Sequence, residues 1–224
     1  MKKISLFLFA LASSFLMFAQ QLTTKMSSGT RFGIKGGANL CEFKLSSEGS
    51  SSSMPETQNR GSFNGGFLVN LPLGNMFRLQ PELVYSGQGS RFSQTITYPT
   101  NSTITSTDKL GYINLPVMLQ LQTENGFFVE VGPQVGYLIS AKNVVTGAGS
   151  NNSETNIKDQ LKKTDFAAAG GIGYLSRVGL GVDARYVYGF RNIYDTESGN
   201  NSSAPETKNR VIQIGLFYQF GAGK

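Results

Sequence analysis

Eight segments of the 224-residue chain alternate apolar and polar residues, and turn or loop residues bound each segment. They are Arg31–Phe43, Ser62–Leu73, Met76–Gln88, Lys109–Leu121, Gly126–Ser140, Asp165–Leu175, Val178–Phe190 and Asn209–Phe220. Successive side chains of a β-strand point to opposite faces, so alternation of this kind is typical of strands. The pattern therefore predicts an all-β protein with eight strands.

The connections between these segments alternate between short and long. Gly74-Asn75, Thr123–Gly126 and the stretch around Ser176 are short. The other four are long and polar, at residues 44–61, 89–108, 141–164 and 191–208. Transmembrane barrels combine tight periplasmic turns with long extracellular loops. We therefore predict an eight-stranded antiparallel up-and-down transmembrane β-barrel over residues 31–220, with a short tail at 221–224.

The apolar faces of the segments carry the bulkier side chains, and the opposite faces mix glycine, small residues and single charges. In the last segment Ile214 and Leu216 alternate with Gln213 and Gly215. The interior of an eight-stranded barrel is only wide enough to be filled by side chains, so bulky apolar residues outside favour lipid as the external solvent. Tyrosines near the segment ends are predicted to form interfacial girdles: Tyr85, Tyr112, Tyr137, Tyr174, Tyr188 and Tyr218.

Four prolines argue against some of these strands, because proline cannot donate a ladder hydrogen bond. Pro72, Pro81, Pro116 and Pro133 lie within or at the ends of segments. Each of them requires an edge, a bulge or a position that does not donate.

Six charged residues are predicted to point into the barrel: Lys35, Arg78, Glu82, Glu130, Asp183 and Arg185. Three are positive and three negative, and an isolated buried ion is costly, so we expect them to pair in a structural polar core. Two alternatives stay open at this point. The charges could line an ion path, or Glu82 and Glu130 could form a catalytic carboxylate pair.

The composition narrows the possible functions. The chain has no histidine and a single cysteine, Cys41, so it lacks the commonest general base and cannot form an internal disulfide or a multi-cysteine metal site. No cofactor and no metal site is predicted. The net charge of +6 contains no block of like charge, so nucleic acid is not an expected partner.

The first residues are typical of a secretory signal peptide. Lys2 and Lys3 precede the apolar run Ile4–Leu11, and cleavage is plausible between Ala19 and Gln20. We predict a cleaved signal peptide at 1–19 and a short lead at 20–30; an uncleaved anchor helix is the alternative. Export would place the protein in the bacterial outer membrane.

Two further motifs concern assembly and lipid contact. The last segment places Gln213, Gly215, Tyr218 and Phe220 in the order of a C-terminal β-signal, by which barrel-assembly machinery recognises its substrates. An ordinary closing strand is the alternative. Two stretches of similar sequence begin Pro55-Glu56-Thr57 and Pro205-Glu206-Thr207 and end in Arg60 and Arg210. We expect these two arginines near lipopolysaccharide phosphates. The alternative is that the similarity of the two stretches is chance.

Several of these stretches resemble the PorT-type outer-membrane β-barrel proteins common in Bacteroidetes. They are Gly33–Asn39, Leu79–Ser86, Tyr112–Val117, Gly132–Tyr137, Asp183–Tyr186 and Asn209–Phe220. They cover nearly all strands and none of the loops. The resemblance implies an outer-membrane location, and through its founding member a link to type IX secretion that rests on fold analogy alone.

The function predicted from the sequence is a non-enzymatic barrel with a mostly plugged lumen. It would have a structural role or bind protein partners through its long loops, surrounded by outer-membrane lipid and lipopolysaccharide. A small channel or ligand carrier, an accessory part in secretion, and a membrane enzyme are the alternatives.

Overall fold

The computed structural model describes residues 29–46, 56–58, 60–96, 102–147, 150–158, 161–192 and 206–221. These residues form eleven β-strands. They are β1 (Arg31–Ser46), β2 (Glu56–Gln58), β3 (Arg60–Pro72), β4 (Phe77–Gln88), β5 (Arg91–Ile96), β6 (Ser102–Gln122), β7 (Phe127–Gly147), β8 (Ser150–Asn156), β9 (Thr164–Leu175), β10 (Leu180–Asn192) and β11 (Glu206–Gln219).

Eight of the strands close into a ring in the order β1, β3, β4, β6, β7, β9, β10, β11, and every pairing is antiparallel. The first and last strands of the ring pair from Gly33 opposite Gln219 to Ser46 opposite Glu206. The three short connections lie together at one end of the ring. The predicted eight-stranded antiparallel barrel is therefore confirmed.

The prediction that the long connections are loops was wrong in part. β2, β5 and β8 lie inside them, and β6 and β7 each continue for 21 residues, well into the stretches predicted as loops. β8 shows why the pattern failed, because Ser153 to Asn156 are exposed at every position. A strand with water on both faces shows no apolar and polar alternation, although its backbone still pairs.

Pro81, Pro116 and Pro133 interrupt strand ladders without ending their strands, whereas Pro72 is the last residue of β3. Pairing of β3 with β4 runs to Leu68 opposite Glu82 and resumes at Leu71 opposite Leu79, on the far side of Pro81. Similar interruptions lie beside Pro116 between β4 and β6, and beside Pro133 between β6 and β7. Each of these three prolines thus faces a gap in the ladder on one side and stays in register with the strand on its other side.

The two faces of the ring have opposite character, as the sequence pattern predicts. Apolar side chains such as Phe67, Val131 and Ile214 point outward, and Phe67 is 66% exposed. The buried inner face is rich in asparagine, glutamine and charged residues. Tyr112 is a correction: it is 2% exposed and belongs to the interior, because its even-numbered position on β6 faces inward with Leu110 and Asn114.

No helix in the described part of the chain is long and apolar enough to cross a membrane. The predicted signal peptide at 1–19 and most of the lead at 20–30 lie outside the described residues, so these boundaries remain predictions.

Candidate functional site

Five of the six predicted inward charges meet in one cluster in the barrel interior. Its members are Lys35 on β1, Glu82 on β4, Glu130 on β7, and Asp183 and Arg185 on β10. These four strands are every second strand of the ring. All five side chains are buried, so the cluster is shielded from the surroundings of the barrel.

Arg185 is the centre of this cluster. Its Nη1 and Nη2 donate to Oε2 and Oε1 of Glu82 at 3.0 and 2.9 Å, and its Nε donates to Oε1 of Glu130 at 2.8 Å. A planar guanidinium can bind two carboxylates in this way because its N–H groups form a fixed fork. Arg185 on β10 therefore links its own strand to β4 and β7 across the interior of the barrel.

Lys35 supplies the second positive charge. Its Nζ donates to Oδ2 of Asp183 at 2.9 Å and to Oε2 of Glu82 at 3.3 Å. Three carboxylates and two cations thus lie together, and each carboxylate contacts at least one cation. Pairing of this kind offsets the large cost of removing charges from water.

Small residues on the intervening strands make room for the cluster. Gly171 on β9 lies between Arg185 and Glu130, and a Cβ there would come within 3.2 Å of Oε1 of Glu130 and 2.6 Å of the backbone oxygen of Ala184. A Cβ at Gly215 on β11 would lie 2.7 Å from Oδ1 of Asp183. Large charged side chains on alternate strands therefore pack against glycine on the strands between them.

Arg78 is the predicted inward charge that does not touch the cluster. Its Nη1 donates to Oδ1 of Asn70 at 2.5 Å. Asn70 Nδ2 then donates to the side-chain oxygens of Gln80 and Gln120, whose amide groups donate to Glu82 and Glu130. Arg78 is thus connected to the carboxylates through neutral amides.

These amides were missed by the sequence analysis, which considered only charged residues. Asn70, Gln80 and Gln120 are each no more than 3% exposed. Their positions carry a usable signal, since each is an amide on the face of its segment opposite the bulky apolar residues. A search for uncharged polar residues on the inner face would have found them.

Three buried apolar clusters lie among the described residues besides these polar side chains. The first contains Leu68, Phe128, Leu175 and Phe217, the second Leu110, Tyr112, Leu138, Ala141 and Leu161, and the third Cys41, Met118, Ala167, Ala169, Val187 and Val211. The rings of Phe128 and Phe217 meet edge to face at 6.0 Å between centroids. Leu161, in the connection after β8, brings part of a long connection into contact with inner-face residues of β6 and β7.

The arrangement of Glu82 and Glu130 is unlike that of a catalytic pair. Every carboxylate oxygen of both residues accepts a hydrogen bond from Arg185, Lys35 or a glutamine amide. A general base must reach a proton on its substrate, and these oxygens are fully buried. Among the described residues, no three His, Cys, Asp or Glu side chains are placed to hold a metal ion.

The two arginines that were predicted to contact lipopolysaccharide make different contacts in the structure. Arg60 Nη1 donates to the backbone oxygens of Gln88 and Asp108, whereas the guanidinium of Arg210 lies 5.3 Å from the ring centre of Tyr188.

Of the four predicted β-signal residues, the structure places two inward and two outward. Gln213 and Gly215 are buried, and Tyr218 and Phe220 are exposed with their rings 5.2 Å apart.

Residues 18–195 match the family described as the outer membrane protein β-barrel domain, which is more than half of the chain. The chain belongs to this family. It is therefore an outer membrane β-barrel protein of bacteria, and the exposed apolar side chains of its strands face lipid.

Solved structures similar to this outer membrane β-barrel include three bacterial proteins. Ail of Yersinia pestis is 14% identical, with 85% of this chain and 99% of that chain covered and a TM-score of 0.47. Neisserial surface protein A is 12% identical, with 86% and 100% covered and a TM-score of 0.42. OprG of Pseudomonas aeruginosa is 16% identical, with 86% and 96% covered and a TM-score of 0.36. Comparison with curated proteins finds no match.

Proposed function

We propose that this outer membrane β-barrel is a non-enzymatic protein whose lumen is closed and whose extracellular strands and loops bind partners. The observation that carries the proposal is the buried ion-pair cluster on every second strand of the ring. An ion that passed through the barrel would have to displace side chains whose hydrogen bonds are already made, and breaking such contacts is costly.

The shape of the extracellular end supports the partner-binding part of the proposal. β6 and β7 are the longest strands, and β5 and β8 extend the sheet on either side of them. This side of the barrel therefore offers an ordered surface beyond the membrane. Regions 44–61, 89–108, 141–164 and 191–208 are the proposed contact regions for protein partners.

Planar-bilayer recording of the refolded full-length protein tests the closed lumen. We expect no steady conductance, and stepwise pores that persist over time would reject a closed barrel in favour of a small channel. An assay of the same preparation on phospholipid and peptide substrates tests the non-enzymatic part. Turnover above that of a heat-inactivated sample would contradict it.

A finer proposal is that the chain belongs to the PorT type and assists protein secretion. It rests on the quoted strand stretches, including Leu79–Ser86 and Asp183–Tyr186. Deletion of the gene in its own host, followed by analysis of the secreted proteins, tests it. Unchanged secretion with an unchanged envelope would exclude the secretory role.

A further inference from the structure

Two lysines face each other on the outer surface of the barrel where β6 and β7 leave the membrane. Lys109 is directly opposite Lys142 in the β6–β7 register, and both side chains are exposed. Directly opposed residues of an antiparallel pair point to the same face with their Cβ atoms about 4.5–5.5 Å apart, so like charges there destabilise the pair. Glu154 offsets part of this cost at Lys142, and an anion bound between the lysines would offset the rest.

The position of this pair matches the level of lipid headgroups. Gly111 lies on the same face as Lys109, one step closer to the membrane. A Cβ at Gly111 would lie 3.2 Å from the hydroxyl of Tyr85. On β7, Tyr137 and Ile139 are the last large apolar side chains exposed before Lys142. Tyrosines of this kind mark the membrane interface in transmembrane barrels. The lysines therefore lie immediately beyond the aromatic girdle, on the extracellular side.

The local charge is positive. Lys158 lies next to the pair, with its Nζ donating to the backbone oxygen of Ile139 at 3.0 Å. Glu154 contacts Lys142 at 2.5 Å, and Lys109 forms no ion pair with any described carboxylate. Among the described residues, three ammonium groups and one carboxylate thus lie in this patch, which gives an excess of two positive charges.

We propose that Lys109 and Lys142, with Lys158 beside them, bind the phosphate of an outer-leaflet glycolipid such as lipid A. Lysine binds phosphate as a point charge through its three donors. A lipid phosphate is held at this height by its acyl chains, which pack on the apolar belt below, so the membrane supplies it at a high local concentration. The site does not depend on whether the lumen is closed.

The test uses the full-length protein in detergent micelles, with bound lipid counted by native mass spectrometry. The probes are lipid A carrying its phosphates and the same lipid A after phosphatase treatment. Lysine near an anionic lipid surface contributes about 1 kcal/mol, or about fivefold in affinity. We therefore expect the double variant Lys109→Gln with Lys142→Gln to bind intact lipid A about thirtyfold more weakly than wild type.

The matched control is Arg177→Gln, which removes one exposed cation at the opposite, periplasmic end of the barrel. It should bind like wild type, as should the charge-preserving variant Lys109→Arg with Lys142→Arg. All variants are first checked for the folded band by heat-modifiability on a gel. Equal binding of the two lipid A forms, or unchanged binding by the double glutamine variant, would overturn the proposal. Displacement of lipid A by millimolar inorganic phosphate would also overturn it, since it would show a site for free phosphate.

Discussion

Arg185 and Glu82 are 103 positions apart in the chain, and their side chains form a two-pronged ion pair inside the barrel. The exposed fractions of the two side chains are 1% and 0%. The same guanidinium also binds Glu130. One residue of β10 therefore connects to two strands with which β10 forms no ladder, so the barrel is held together across its interior as well as around its wall.

Replacing Arg185 by methionine should destabilise the barrel strongly. Glu82 and Glu130 would lose their shared cation, leaving three buried carboxylates with Lys35 alone. Removal of one partner from a buried ion pair typically costs about 3–5 kcal/mol. Urea unfolding in detergent or lipid, followed by heat-modifiability, measures this loss.

A double-mutant cycle with Glu82→Gln separates the pair from the rest of the cluster. The double variant should be less destabilised than the sum of the single variants, because removing Glu82 as well takes away one unpaired carboxylate. Strictly additive effects would show that the contact contributes nothing.

Gly171→Ala should destabilise the barrel whereas Gly170→Ala on the same strand should not. The new methyl group at 171 would lie 2.6 Å from a backbone oxygen, and at 170 the nearest atom would be 3.8 Å away. Overpacking of a close contact costs about 1–3 kcal/mol. Comparison of the two unfolding midpoints checks the prediction, and equal midpoints would contradict the packing argument.

Opening the lumen should require loss of the charged cluster. Phe128→Ala with Phe217→Ala thins the apolar cluster, but the ion pairs of Arg185 remain in place, so we expect no steady conductance. Adding Glu82→Ala and Arg185→Ala to that variant should produce pores in planar bilayers. Pores in the phenylalanine double variant alone would place the barrier at the aromatic residues.

The exposed pair Lys142–Glu154 should be detectable by titration. The hydrogen bond from Lys142, its charge and that of Lys109 hold the pKa of Glu154 below its ordinary value of 4.5. The ion pair therefore stabilises the folded protein above pH 4.5, and this stabilisation is lost as the pH falls through the lowered pKa. Carboxyl chemical shifts should show the pKa rising toward 4.5 in Lys142→Gln and rising less in Lys109→Gln. The reverse order would contradict the contact.

The sequence predicted the ring well because alternation records which face of a strand meets lipid. Every outward residue from Ile212 to Phe220 follows that period. It could not predict β8, since a strand that pairs beyond the membrane with both faces exposed has no apolar face to detect. Tyr112 was misplaced because aromatic character alone does not distinguish an interfacial residue from an interior one, whereas its position parity on β6 does.

The sequence could predict which charged residues belong to the candidate site, but not which of them contact each other. Charges at inward positions had to find partners, which follows from the cost of burying an ion. Which charges meet depends on the stagger between strands, and no local pattern encodes it. The choice of Asn70 as the partner of Arg78, in place of a carboxylate, could be seen only once β3 and β4 were in register.

The seam between β1 and β11 makes completion of the wall depend on the last strand to be synthesised. Until Glu206–Gln219 has been synthesised, β1 and β10 each keep a row of backbone donors and acceptors without partners, and hydrocarbon offers none. A chain shortened before this strand would consequently be unable to insert stably, however many of its other ladders had formed.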